Sequence, residues 1–158
     1  MNIQNKKYFK ITSELRTEGH QCLVDNFYFT YAEHIFNFLD YGNYLREVIL
    51  PVNDPDFKMI MNKNGDGWIA NKIIFGKRYD LDDIDTFEYL FSLGTDIHSN
   101  NNCAVQWAAG KGYLNIVKYL ILSGADICSD NNYALKLAVA SDQKNVVDFL
   151  VKLFKKID

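Results

Sequence analysis

The chain is short of the features that secreted, membrane-spanning and nucleic-acid-coating proteins carry in quantity. Its three cysteines, Cys22, Cys103 and Cys128, are far apart, with no C-x-x-C pair and no metal-ligand spacing. Neither a disulfide framework nor a metal site can be read from them, and a reducing compartment fits best. No apolar run approaches the roughly 18 residues of a membrane span. The opening Met1-Asn2-Ile3-Gln4-Asn5-Lys6-Lys7 leads into no stretch of signal-peptide type. The expectation is a cytoplasmic protein that neither crosses nor anchors to a membrane. Basic charge is not in excess either: a formal net charge of −3 and a pI near 5.6 supply no field for phosphate backbones, which argues against a nucleic-acid partner.

What is present is enough apolar material for a core. Of 158 residues, 48% are hydrophobic and 23% charged, the balance of an ordinary folded chain. Aromatic residues reach 15%, mostly Tyr and Phe, and such side chains suit packing more than catalysis.

The dominant signal is an internal repeat. Residues 91–120 read FSLGTDIHSNNNCAVQWAAGKGYLNIVKYL and residues 121–150 read ILSGADICSDNNYALKLAVASDQKNVVDFL, two 30-residue segments that align without a gap. Gly94 matches Gly124, Asp96 matches Asp126, Ile97 matches Ile127, Asn102 matches Asn132, and Ala104 and Ala108 match Ala134 and Ala138. Small residues at fixed offsets let paired helices approach, and Asn102 and Asn132 are placed to cap a short first helix. A second helix follows through Leu114, Ile116, Val117, Leu120 and Ile121, apolar at three- and four-residue spacing. Gly124, free to take a left-handed conformation, is its expected stop.

These residues resemble the ankyrin family. The stretch from Ala108-Ala109-Gly110-Lys111-Gly112 through Leu114-Asn115-Ile116-Val117-Lys118-Tyr119-Leu120 to Gly124-Ala125-Asp126-Ile127 is similar to the ankyrin second-helix signature. The period and the Asn-Asn-Tyr-Ala-Leu wording are similar to short-period ankyrin proteins of giant DNA viruses. Two departures stand out. The family's Thr-Pro-Leu-His tetrapeptide is replaced by Cys103-Ala104-Val105-Gln106 and Tyr133-Ala134-Leu135-Lys136. The period also falls short of the usual ~33 residues, between Ile97 and Asn102 and between Ile127 and Asn132, where ankyrins form a hairpin finger. A stunted finger is expected.

Upstream, Asp83-Ile84-Asp85-Thr86-Phe87-Glu88-Tyr89-Leu90 reads as a second helix without a first, a half repeat. Downstream, Lys152, Lys155 and Lys156 fall where a further repeat's apolar stack would start, as a capping end requires. The N-terminal part is not repetitive and reads as mixed α and β. Residues 7–12 and 27–30 are aromatic-rich strand candidates. Thr30-Tyr31-Ala32-Glu33 matches a capping box ahead of a helix bearing Ile35, Phe36, Phe38 and Leu39 and ending near Gly42. Residues 44–50 form a strand stopped by Pro51, and residues 57–61 pair with residues 68–75 across a turn-rich link.

Chemistry is hard to find. Asn62, Asn64, Asp66 and Gly67 imitate the opening of a calcium loop, but Ile73 stands where its bidentate Glu is required, so a plain turn is the better reading. His20, then Phe27-Tyr28-Phe29-Thr30, with Glu47 as the only candidate acid, faintly resembles the strands by which ADP-ribosyltransferases grip a nucleotide. That is the enzymatic alternative. A folded relic without function is the other.

The sequence therefore reads as an α+β chain: a small mixed N-terminal α/β cap over residues 1–80, then a short ankyrin-type α-solenoid over residues 81–158, with a half repeat and two repeats. The resemblance implies a monomeric, non-catalytic module without cofactor or metal that engages a protein partner through a concave face. Carried over by position, the contact residues are His98, Asn100, Gln106, Lys111, Asp130, Lys136 and Ser141.

Overall fold

The computed structural model describes residues 7–13, 18–19, 21–22 and 27–157. The chain divides into two compact units, residues 1–81 with 86–95, and residues 82–85 with 96–158.

The first unit is built on an antiparallel sheet of seven strands: β1 (Tyr8–Thr12), β2 (Gln21–Cys22), β3 (Phe27–Tyr31), β4 (Tyr44–Ile49), β5 (Met59–Met61), β6 (Trp68–Ala70) and β7 (Ile73–Asp80). Their order across the sheet is β2-β7-β4-β1-β3-β6-β5. Aromatic and β-branched residues dominate these strands, as a pleated surface buried on both sides requires. Register sorts the side chains. Tyr8 opposes Val48, which opposes Phe75, and these three share a buried cluster with Phe29, Ala70 and Ile73 on one face. Phe9 opposes Glu47 and Leu45 opposes Tyr79 on the other.

That second face is covered by two helices, a ten-residue 3-10 helix (Ala32–Tyr41) and α1 (Ile84–Ser92). Phe36 of the 3-10 helix meets Phe87 and Phe91 of α1, with ring centroids 6.0 Å apart in each case. The Thr95 hydroxyl donates to the Ala32 carbonyl at 2.9 Å and ties the end of α1 to the same helix. Residues 86–95, counted with the repeats on sequence alone, thus group with the sheet, and Phe87 and Leu90 are fully buried there.

Three local expectations change. The Thr30 side chain makes no helix cap; its hydroxyl donates to the Asp66 carbonyl, and the helix after it is 3-10 with Tyr31 at its start. Its apolar positions 32, 35, 36 and 39 suit either helical period, so spacing alone does not separate the two forms. The strand expected over residues 68–75 is two strands. Asn71 accepts from the Lys58 N–H and donates from its own N–H to the Lys58 carbonyl, ending β6 before β7 begins.

Glu47 joins sheet and helix. Its Oε1 accepts from Tyr89 Oη at 2.7 Å, Tyr79 Oη at 2.9 Å and Lys7 Nζ at 3.1 Å, with the Tyr79 and Tyr89 rings stacked 4.8 Å apart. Burial alone pushes the Glu47 carboxyl up, but the hydrogen bonds from Tyr89, Lys7 and Tyr79 outweigh it and hold the group below its usual value. A carboxyl depressed on folding stabilises fully above its unfolded pKa, and that contribution is lost as pH falls through the lower folded value. Urea midpoints of the wild type should therefore fall between about pH 5 and pH 2, and Glu47→Gln should flatten that limb. An unchanged acid limb in the variant would show that Glu47 carries no such linkage.

Candidate functional site

The second unit holds two helix pairs: α2 (Ser99–Lys111) with α3 (Leu114–Leu122), and α4 (Ser129–Ala140) with α5 (Lys144–Ile157). Alanines at equivalent positions, Ala104 and Ala108, Ala134 and Ala138, are buried and let α2 lie against α4. Ile116, Val117, Leu120, Val146 and Leu150 fill the layer behind them. Gly124 takes φ +108 after α3, and its N–H donates to the Ile121 carbonyl at 3.1 Å, a helix stop that suits glycine.

At the head of each first helix the backbone turns left-handed three times in succession. Asn100, Asn101 and Asn102 have φ of 49°, 57° and 62°, and Asp130, Asn131 and Asn132 have φ of 51°, 62° and 59°. For an L-residue this costs about 1–2 kcal/mol, least for Asn and Asp, which accounts for a run of only those two types at both places. No strand forms there. A single left-handed turn stands where a hairpin finger would project, and it accommodates the shortened period.

The turn is also where the repeats are joined. Asn102 does not cap its own helix. Its Oδ1 accepts from the Asp126 backbone N–H at 2.9 Å, in the next repeat, and from His98 Nδ1 at 3.0 Å. The Asn101 carbonyl accepts from Ser129 Oγ at 2.8 Å and from Gln106 Nε2 at 2.7 Å.

The residues expected to contact a partner separate into two groups. His98, Asn100, Lys111, Asp130, Lys136 and Ser141 are exposed. Gln106 is 8% exposed, its amide held by Asn101 and lying 3.4 Å from Ser129 Oγ. It is largely buried and bonds at the joint between repeats. His98 is held by the Asn102 bond from Nδ1, which leaves Nε2 for other contacts. Asn101, Ser129 and the inter-repeat role of Asn102 were missed on sequence. The signal was there in the Ser-Asn-Asn-Asn and Ser-Asp-Asn-Asn runs at one repeat position, read as caps because a capping Asn and a left-handed Asn look alike in one dimension.

Position-by-position comparison shows what the second repeat covers. Asn102 and Ala109 are buried at 7% and 0%, whereas their equivalents Asn132 and Val139 are exposed, Val139 at 59%. Tyr133, Lys136 and Val139 therefore form an exposed stripe along α4 at three-residue spacing.

Other candidate chemistry is accounted for structurally. Glu47 is enclosed by Tyr79, Tyr89 and Lys7 as described, and His20 and the Cys22 side chain lie outside the described residues. The Asn62 to Gly67 link is a turn closed by the Asn62 N–H donating to the Gly67 carbonyl at 2.9 Å. Among the described residues no three His, Cys, Asp or Glu side chains are placed to hold a metal ion, and no helix is long and apolar enough to cross a membrane.

Stacked helix pairs with a glycine stop and a recurring turn define a helical-repeat protein, and sequence comparison gives the particular kind. The family described as Ankyrin repeats (3 copies) matches residues 59–158, and the chain belongs to it. Residues 59–80 within that match are strands β5 to β7 and the turns between them, so the helical repeats occupy its later part. The chain is 44% identical over 97 residues to "Putative ankyrin repeat protein R868" of Acanthamoeba polyphaga mimivirus, covering 61% of this chain and 47% of that one. It is 43% identical over 106 residues to "Putative ankyrin repeat protein R229" of the same virus, covering 65% and 34%. "Uncharacterized protein R869", again of that virus, is 39% identical over 132 residues, covering 71% of this chain and 95% of its own. The chain thus spans less than half the length of the first two relatives. No solved structure matches.

Removing the Asn102 side chain should remove the part-buried bond from the Asp126 N–H, a loss of about 0.5–1.5 kcal/mol. Asn132→Ala gives up the same left-handed preference without that bond. Asn102→Ala should therefore be less stable than Asn132→Ala by about that amount in urea unfolding. Equal destabilisation would show that the bond contributes nothing to the stack.

Proposed function

We propose that the protein is a non-catalytic module that binds another protein through the exposed residues of its ankyrin unit. Membership of a family whose members generally mediate protein contacts supports this reading. The observation that carries it is the contrast between a fixed scaffold and a free surface. Asn101, Asn102, Gln106 and Ser129 are bonded to one another or to the neighbouring repeat. His98, Asn100, Lys111, Asp130, Lys136 and Ser141 are exposed around them. Tyr133 and Val139 add apolar area beside Lys136 on α4, a mixture that suits recognition of a protein better than of a polyanion.

The mechanism is rigid complementarity. The left-handed turns hold His98, Asn100 and Asp130 on short, hydrogen-bonded backbone, so little conformational freedom is lost on binding. With only two repeats the surface is modest against the ~800 Å² per partner of a stable interface, which gives moderate affinity and a monomer in the absence of its partner. No nucleic acid is required, the net charge being negative.

The test is affinity capture from an amoebal lysate with the intact chain beside a Lys111→Glu, Asp130→Asn, Lys136→Glu variant, in which Asn keeps the left-handed turn at position 130. All three positions are exposed, so the unfolding midpoint should be unchanged. A partner retained by the wild type should fall by about tenfold or more on the variant. Equal retention by both would remove the proposed face.

A further inference from the structure

The sheet of the first unit is forked. Strands β1 and β3 pair only at Tyr8 with Tyr31 and Phe9 with Thr30, after which Phe27, Tyr28 and Phe29 pair with β6 instead. Residues 10–12 of β1 pair with Arg46, Leu45 and Tyr44 of β4. In the fork lies a pocket of about 380 Å³, within the range of small-ligand sites. The Ile35 and Phe38 side of the 3-10 helix and the Asn62 to Asp66 turn contribute the rest of its wall.

Two properties of this pocket point to one kind of occupant. The first is a run of three aromatic rings, Tyr28 to Phe38 at 4.9 Å and Phe38 to Tyr41 at 6.0 Å, with Tyr41 exposed at 70%. Aromatic faces attract cations, the guanidinium group above all because it also stacks flat. The second is a carboxylate whose side-chain hydrogen bonds come from neutral donors, with His34 acting on it only through charge. Asp66 Oδ1 accepts from Tyr28 Oη at 2.6 Å and from Asn62 Nδ2, and no cationic side chain bonds to Asp66 among the described residues. The bond from Tyr28, with burial working against it, keeps this carboxyl below its usual value, so it is charged at neutral pH. Donors are scarce in this corner, since the neighbouring Asn62 Oδ1 has no partner at all. Lys10, the cation among the lining residues, already donates to the Tyr28 carbonyl at 3.1 Å. Gly67 keeps the turn close: a β-carbon there would lie 2.5 Å from Tyr28 Oη and 2.7 Å from the Phe29 carbonyl oxygen.

We propose that the fork pocket is a second binding site, one that receives an arginine side chain presented by a polypeptide, its guanidinium at Asp66 and its stem along Phe38 and Tyr41. The site is independent of the ankyrin surface, and either can fail without the other.

The test is a titration of the intact chain, followed by backbone amide shifts, with acetyl-Gly-Arg-Gly-amide and with the same peptide carrying neutral citrulline. The arginine peptide should shift the amides of Phe38, Tyr41, Asp66 and Gly67, and citrulline should bind about tenfold more weakly for want of the charge. Asp66→Asn keeps an acceptor for Tyr28 and Asn62 but removes the charge, and should weaken binding by a similar factor. Tyr41→Ser, at an exposed position, should weaken it several-fold with the fold intact. No shift with the arginine peptide, equal binding of citrulline, or full binding by Asp66→Asn would overturn the proposal. Tighter binding of free agmatine than of the peptide would overturn its polypeptide part.

Discussion

The second unit depends on a side-chain oxygen reaching a backbone N–H across the gap between two helix pairs. Asn102 Oδ1 makes that reach to Asp126 only because the three residues from Asn100 run left-handed and swing the side chain away from its own helix. Helix pairs of this size cannot bury their own apolar faces. Something must set the register in which Ala104 and Ala108 meet the following pair, and the van der Waals layer alone is tolerant of sliding. A directional bond from a buried, conformationally restricted Asn is not.

The same turn explains how a repeat can be shorter than is usual for its kind. A hairpin finger needs extended residues on both limbs, whereas one left-handed turn reverses the chain in three residues. The cost is backbone strain, reduced by restricting the positions to Asn and Asp and offset by the hydrogen bonds that the turn makes possible. Gln106 belongs to this arrangement. It stands where the family's tetrapeptide has its last residue, and it bonds to the Asn101 carbonyl, which the left-handed turn directs inward. No projecting tip remains at this position, and the recognition face proposed above lies instead on the residues flanking the turn.

Much of this was legible in sequence, and the failures share a cause. Strands β1, β3 and β4 were read within a residue or two because aromatic and β-branched runs bounded by turn residues have few other uses. The repeat and its family followed from two gapless segments. The errors arose where a residue has two roles of equal local plausibility. Asn102 could cap or stitch, Thr30 could cap or reach Asp66, and Gln106 could face outward or brace the joint. In each case the deciding partner is far away in sequence: Asp126 for Asn102, Asp66 for Thr30 and Ser129 beside Gln106. The helix of residues 84–92 was assigned to the repeats by its pattern, yet Phe87 and Tyr89 find their partners in Phe36, Tyr79 and Glu47, which no local pattern encodes. The fork between β1 and β3 was invisible for the same reason, since pairing partners are not written in the strands themselves.

Hydrogen exchange at the Asp126 backbone amide addresses the central claim most directly, because that N–H has an acceptor only if the repeats are stacked through a left-handed turn at Asn102. The amide should exchange as slowly as those in the buried turns of α3. Exchange at the rate of an open, solvent-facing amide, with α3 and α5 still protected, would mean that the helix pairs form without the joint on which this account of the stack rests.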